Sequence, residues 1–453
     1  MGKRILLGLG ALILVFALAM PAAAQQEHKY ILRVPATDLD YVTRTYGLTI
    51  VRTIRDDVYL VTGPGWSSET LQQWMKTDPL VKNFELDAAG KAPEASLEAD
   101  LNQSTAAILE SLRDKRLANY FGATTWVGYS GQPASVLIRA PEVHLKKLTG
   151  DGIVAIIDTG VDPNHPVLKS VLTSGYDFTR DVPGAGSEWP DLNQSTAAIL
   201  EQSTAAILEG SSVVRLNQST AAILEQSTAA ILESNKPPAA FGHGTMVAGL
   251  VHLVAPTAKI MPLKAFKADG SARTSDIVRA IYYAVDNGAK VINMSFSMEQ
   301  FSDEVMRAIN YATRKGVICV ASVGNQNKQL LVYPATLGNV LGVASTTSED
   351  KRSAYSNYGA DLVKVAAPGD SLITTYPGGR YAAVWGTSFS SGLVSGAAAL
   401  LLDVDVKTEQ EDAKRALAHA KQISEDLGYG RIDLYEAVKY LKSIRGMLND
   451  FND

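Results

Sequence analysis

The sequence predicts an α/β protein: a mostly parallel sheet with helices on both faces, preceded by a small α+β domain of split βαβ order. Two patterns carry that expectation. From Ile153 onward, short β-branched apolar runs alternate with stretches of helical length, as crossover helices joining parallel strands require. Between Lys29 and Leu86 the order is instead strand, helix, two strands, helix, strand.

In the N-terminal part, Lys29 to Val34 reads as a strand, Thr37 to Tyr46 as a short helix, and Thr49 to Arg55 and Asp57 to Thr62 as alternating strands. A helix opened by Ser67-Ser68-Glu69 and a strand from Val81 to Leu86 follow. Between Ala88 and Gln132, Pro93, the acidic stretch Glu94 to Asp100 and the charged run Arg113 to Arg116 read as a connector. The larger domain should then hold strands at Ile153 to Asp158, Lys259 to Ala265, Val291 to Phe296, Val317 to Ser322, Val340 to Ser345 and Val363 to Ala367. Its expected helices are His243 to His252, Ser275 to Asn287, Asp303 to Lys315, Ser388 to Leu402, Glu409 to Ala420 and Leu434 to Leu441. Gly288 and Gly316 follow two of these as natural stops. The expected divisions are residues 1–24, 25–88, a linker of 89–135, a large domain of 136–445 and a tail of 446–453.

At 453 residues, with 46% hydrophobic and 20% charged, the chain has the composition of an ordinary globular protein of two or three domains. Its net charge of -5 gives no reason to expect a nucleic-acid partner. Met1 to Ala24 reads as an export signal: Lys3-Arg4, an apolar run from Ile5 to Met20, then Pro21-Ala22-Ala23-Ala24 with small residues before the cut. A secreted, periplasmic or extracellular location without stable membrane association is therefore expected. Cys319 is the only cysteine, which excludes an intramolecular disulfide, and within Val317-Ile318-Cys319-Val320 it reads as a small core residue.

Three stretches carry chemistry. Trp385-Gly386-Thr387-Ser388-Phe389-Ser390-Ser391-Gly392 sets a serine among small residues at the mouth of an apolar helix. A hydroxyl is a poor nucleophile without a base, and Phe241-Gly242-His243-Gly244-Thr245 supplies a histidine in a similar setting. Ile153 to Gly160 runs a buried-type strand into Asp158, which can fix the tautomer of His243.

These three motifs, in the order Asp158, His243, Ser388, resemble those of the subtilisin-like serine peptidases, the subtilases. Val291-Ile292-Asn293-Met294-Ser295-Phe296 resembles the family's substrate-lining strand, and Ala321-Ser322-Val323-Gly324-Asn325 the segment carrying the oxyanion asparagine. The resemblance implies a subtilisin-like fold and hydrolysis of protein or peptide substrates through an acyl-enzyme. It gives Asn325 the oxyanion role and makes Ser295, Phe296, Ser297 and Gly324 substrate-binding residues. It also implies that residues 25–88 act as an inhibitory propeptide and the chain's own partner. Gly428-Tyr429-Gly430-Arg431-Ile432-Asp433 resembles the C-terminal family motif, and His165 lies in the loop after the aspartate; both are expected to be structural. The alternative from another class is a catalytically inactive exported binding protein on the same scaffold.

The chain also departs from the family. Ser390-Ser391-Gly392 replaces a small-small-Pro continuation, and Ser297 stands where a glycine usually follows the substrate strand. Calcium binding is possible by resemblance, but Val251 to Pro256 passes directly to the next strand without the longer calcium loop of many members. No calcium or other metal ligand is assigned.

An octapeptide, Gln-Ser-Thr-Ala-Ala-Ile-Leu-Glu, begins at Gln103, Gln194, Gln202, Gln218 and Gln226. With Gly210 to Asn217 as a degenerate unit, copies in register fill Gln194 to Glu233. The residue types favour helix, with Asn193 and Asn217 as caps, and two short helices are expected. The competing arrangement is a β-hairpin, because an even period keeps its faces constant in strands.

Overall fold

The computed structural model describes residues 28–64, 68–91, 114–184, 186–192, 214–216, 221–223, 238 and 240–447. The chain divides into two compact units, Met1–Leu86 and Asp87–Asp453. The export signal, the octapeptide copy at Gln103 and most of the array lie outside the described residues.

The first unit has the order read from its sequence. Strands Lys29–Arg33, Thr49–Arg55, Val58–Thr62 and Asn83–Leu86 form one antiparallel sheet, with Lys29–Arg33 paired between Val58–Thr62 and Asn83–Leu86. Helices Leu39–Tyr46 and Ser68–Thr77 cover its apolar side, the second burying Leu71 and Met75, one helical turn apart. Tyr30, Leu32, Val42, Val61 and Phe84 complete that core.

The second unit is organised on an eight-stranded sheet in the order Val182–Pro183, Tyr176–Asp177, Lys259–Lys264, Ile153–Asp158, Val291–Met294, Ile318–Ser322, Leu341–Thr346 and Val365–Pro368. All of its pairings are parallel except the first. The central strands are buried along their whole length, which explains why they carry no charged residue. Helix His243–Val254 packs against helix Thr387–Val404, and helix Thr274–Asp286 against Asp303–Arg314. Thr387–Val404 carries a single charged residue, Asp403, because it is the core helix, buried over nearly its full length.

Two expectations need correction. The linker was expected to run to residue 135, but Leu117–Tyr120 and Ala123–Trp126 form an antiparallel hairpin, followed by helices Val127–Ser130 and Pro133–Leu137. Aromatic burial outweighs the local charge there: the Trp126 ring stacks on Tyr381, and the buried Tyr129 hydroxyl donates to the Gly249 carbonyl at 2.7 Å. In the array, the described residues are strands rather than helices. Val214–Leu216 pairs antiparallel with Ala221–Ile223, which pairs in turn with Arg380–Val384. A sheet edge is available at that place, since Arg380–Val384 has Leu372–Tyr376 on its other side, and an even period suits it.

Candidate active site

Asp158 ends the strand Ile153–Asp158, and His243 opens the helix His243–Val254. The two are brought together by a close backbone approach. A side chain added at Gly244 would put its Cβ 2.1 Å from the Gly160 carbonyl oxygen, so only glycine lets the head of the helix reach the turn after Asp158. There the His243 Nδ1–H donates to Asp158 Oδ1 at 2.8 Å, with Oδ2 at 3.0 Å, and both side chains are buried. A carboxylate is acceptor-only, so this contact places the proton of neutral His243 on Nδ1 and leaves Nε2 as the basic nitrogen.

Ser388 stands in the first turn of the helix Thr387–Val404, which follows Gly386 at φ +148°. Its Oγ donates to the Ser295 carbonyl at 3.3 Å, a long bond that is easily given up. The rings of His243 and Phe389 lie 5.5 Å apart, which sets the histidine against the residue next to Ser388. Asn325 crosses to the same helix end. Its Oδ1 accepts from Thr387 N and Thr387 Oγ1, both at 2.9 Å, and its Nδ2 is buried without a partner among the described residues.

The remaining expected site residues gather on the same side. Ser295 Oγ donates to the Ser388 carbonyl at 3.0 Å and lies 2.9 Å from Ser391 Oγ, while Asn293 Nδ2 donates to it at 2.7 Å. Ser391 therefore ties the first turn of the helix Thr387–Val404 to the segment just after the strand Val291–Met294. The buried Phe296 ring packs on Phe266, 5.0 Å between centroids. Gly324 donates its N–H to Thr387 Oγ1 at 3.1 Å, and a Cβ there would lie 3.4 Å from Ser297 Oγ.

Residues 150–434 match the profile Peptidase_S8, the subtilase family. The chain belongs to the subtilase family. This subtilase is 32% identical over 292 residues to the "Thermophilic serine proteinase" of Bacillus sp. (strain AK1), over 63% of the chain and 61% of that protein. It is 31% identical over 317 residues to thermitase of Thermoactinomyces vulgaris, over 67% of the chain and 94% of the relative. It is 32% identical over 274 residues to subtilisin BL of Lederbergia lenta, covering 58% of the chain and 81% of that protein. Family and relatives make it a serine-type endopeptidase.

Two buried ionisable groups beside this site give no signal in the sequence. Glu188 is fully buried between the Asp158 turn and the His243 helix, accepting from Thr159 Oγ1 at 3.2 Å, Thr245 N at 3.2 Å and Thr245 Oγ1 at 2.9 Å. Burial pushes its carboxyl up to about 8 despite those donors and the nearby Lys264 ammonium. Lys264 is also fully buried, its ammonium donating to the carbonyls of Thr159 and Phe266 at 2.7 Å and to Asp191 Oδ2 at 2.6 Å. Nothing in the spacing of Glu188 within Ser187-Glu188-Trp189-Pro190 marks it; only its neighbours in space do.

The other histidines lie away from this pair. His165 is buried and bonds the Arg380 carbonyl at 3.0 Å through Nε2, and His252 Nδ1 is 3.2 Å from the Tyr129 hydroxyl. Cys319 is buried, and burial pushes its thiol up to about 12, as expected of an inert core residue. Among the described residues no group of three or more His, Cys, Asp or Glu side chains is arranged to hold a metal ion, so calcium ligands are not assigned.

Proposed function

We propose that the chain is an exported serine endopeptidase in which Asp158, His243 and Ser388 form the triad and Asn325 stabilises the oxyanion. The observation that carries this reading is the Asn325 amide, a buried donor held by its own oxygen against the head of the serine helix. Such a preorganised donor has most effect where negative charge develops in a site that excludes water.

The reaction follows from the groups present. Ser388 Oγ leaves the Ser295 carbonyl, passes its proton to His243 Nε2 and bonds to the substrate carbonyl carbon. Asp158, hydrogen-bonded to Nδ1, stabilises the imidazolium that forms. Charge moves onto the carbonyl oxygen, where Asn325 Nδ2 and a backbone N–H of the first helical turn receive it. The C–N bond then breaks as the imidazolium protonates the leaving amine. Water, deprotonated by the same imidazole, releases the acyl group and restores Ser388. An inactive scaffold is disfavoured, because all four positions carry competent side chains. Ser295, Phe296, Ser297 and Gly324 line the substrate path in this reading.

Residues 25–88 are proposed to inhibit the enzyme until they are removed. What supports this is the course of the chain from Asp87 to Lys91. Asp87 accepts from Ser275 N at 2.8 Å and Ser275 Oγ at 3.0 Å at the head of the helix Thr274–Asp286. Ala89–Lys91 then pairs antiparallel with Ser271–Arg273. Adding a strand to an edge is a general way of holding an extended peptide. The edge is tied to the site through Phe266, whose N–H donates to the Asp158 carbonyl at 3.1 Å and which bridges to Ala272.

The test is the intact mass of the exported protein beside its Ser388→Ala variant. Self-processing shortens the first from its N-terminal side and leaves the second longer; equal masses would count against the reading.

A further inference from the structure

We propose that Glu188 is a positioning residue for this reaction, its carboxyl group pinning the turn that carries Asp158 to the head of the helix that carries His243. The inference rests on the triad reading given above.

Three backbone segments meet at Glu188 with no slack. Beside the contact of Gly244 with Gly160, a Cβ on Gly160 would lie 2.7 Å from the Gly186 carbonyl oxygen, and Val161 N donates to that same oxygen at 2.8 Å. The carboxyl group spans the stack. One oxygen takes Thr159 Oγ1 and Thr245 N, and the other takes Thr245 Oγ1. Thr159 directly follows Asp158, and its own N–H donates to Asp158 Oδ1 at 2.7 Å. Thr245 lies two residues after His243.

Both hydroxyls are engaged a second time. Thr159 Oγ1 accepts from Gly244 N at 3.0 Å, and Thr245 Oγ1 accepts from Asp162 N at 2.8 Å. Turn, carboxyl group and helix thus form a closed cycle of hydrogen bonds around the base of the Asp158 to His243 contact. A shift of either element must break one of them.

A fully buried carboxyl is costly unless its hydrogen bonds are complete, and among the described residues Glu188 makes no ion pair. The nearby Lys264 is held instead by Asp191. An apolar side chain could fill the same space without that cost. What it could not do is accept from two elements at once. A displacement of about 1 Å between catalytic groups can lower turnover about 100-fold, which is the leverage such a pin would have.

The experiment measures turnover of a short chromogenic peptide per active site, with sites counted by fluorophosphonate titration, in the parent, Glu188→Ala and Glu188→Gln. Glu188→Ala should lower turnover per titrated site about 10- to 100-fold, with KM within about twofold. Glu188→Gln keeps one oxygen for the threonines and should recover most of the loss. A residue that only supports folding would reduce the number of titratable sites and leave turnover per site unchanged, and that result in Glu188→Ala would overturn the inference. If Glu188→Ala yields no folded protein, Thr245→Val removes one arm of the pin at constant shape. It should lower turnover about tenfold at unchanged KM; parent-like turnover would again overturn the inference. Ser388→Ala separates the two levels of the argument. Activity surviving in that variant would fail the triad reading itself, whereas parent-like Glu188 variants beside a dead Ser388→Ala would fail only the role of Glu188.

Discussion

Asn325 Oδ1 accepts from both the backbone N–H and the hydroxyl of Thr387, each at 2.9 Å. One oxygen thus caps the serine helix and fixes the amide plane, so that Nδ2 is held in place before any substrate arrives. In the proposed reaction, Asn325→Ala removes a donor that works mainly in the transition state. Turnover should fall about 100- to 1000-fold, the scale known for loss of the oxyanion asparagine in subtilisin, with KM little changed. Steady-state kinetics on a short peptide measure this, and a change confined to KM would make Asn325 a turn residue instead.

The central strands of the parallel sheet were legible because they are buried on both faces and so read as apolar runs, whereas the short edge strands Tyr176–Asp177 and Val182–Pro183 have no such run. Asp158, His243, Ser388 and Asn325, the proposed catalytic set, stand out in the sequence because each sits in a short motif at a strand end or helix head. Glu188 and Lys264 do not, since what defines them is a set of partners from Thr159, Thr245, Phe266 and Asp191 that are far apart or unpatterned in sequence. The array misled for a different reason. Its Ala, Ile, Leu and Glu residues favour helix intrinsically, but in Ala221–Ile223 the edge of Arg380–Val384 decides the outcome.

The buried histidines and Glu188 should give stability opposite dependences on pH. Burial pushes His252 down to about 3 and lowers His144 and His165 as well. These rings stay neutral in the folded protein while the unfolded chain takes up protons below about 6.5, so their contribution is present above that pH and lost as it falls. Glu188, raised from 4.5 to about 8, works the other way: its contribution is full below 4.5 and lost as pH rises through 8. Melting followed by circular dichroism in the Ser388→Ala background should show Tm decreasing from pH 6.5 towards 4. Between pH 6 and 9, Glu188→Gln should lose less than its parent. A flat profile below pH 6.5 would contradict the assignment of the histidines.

Residues 25–88 added as a separate polypeptide should inhibit the mature enzyme. Turnover of a peptide substrate titrated with this fragment measures the effect. No inhibition at large excess would make the first unit an unrelated domain.

Deleting Gln194 to Glu233 should leave activity on short peptides within about tenfold of the parent. The deletion spares Glu188 and Asp191, and Arg380–Val384 keeps Leu372–Tyr376 as its partner. Shortening a loop changes closure entropy only logarithmically, about 0.6 kcal/mol for each halving. Effects are expected with folded protein substrates, whose access an insertion beside the site can shape. Peptide turnover reduced more than about tenfold, some 1.4 kcal/mol in the barrier, in a variant folded by circular dichroism would make the array part of the catalytic framework.

The most direct measurement is covalent labelling by a serine-directed fluorophosphonate, read by intact mass and peptide mapping in the mature parent, Ser388→Ala and His243→Ala. The proposed triad predicts one adduct on the parent, located at Ser388, and none on either variant, with hydrolysis of unfolded protein lost in parallel. Equal labelling of the Ser388→Ala protein would remove Ser388 as the nucleophile and contradict the mechanism.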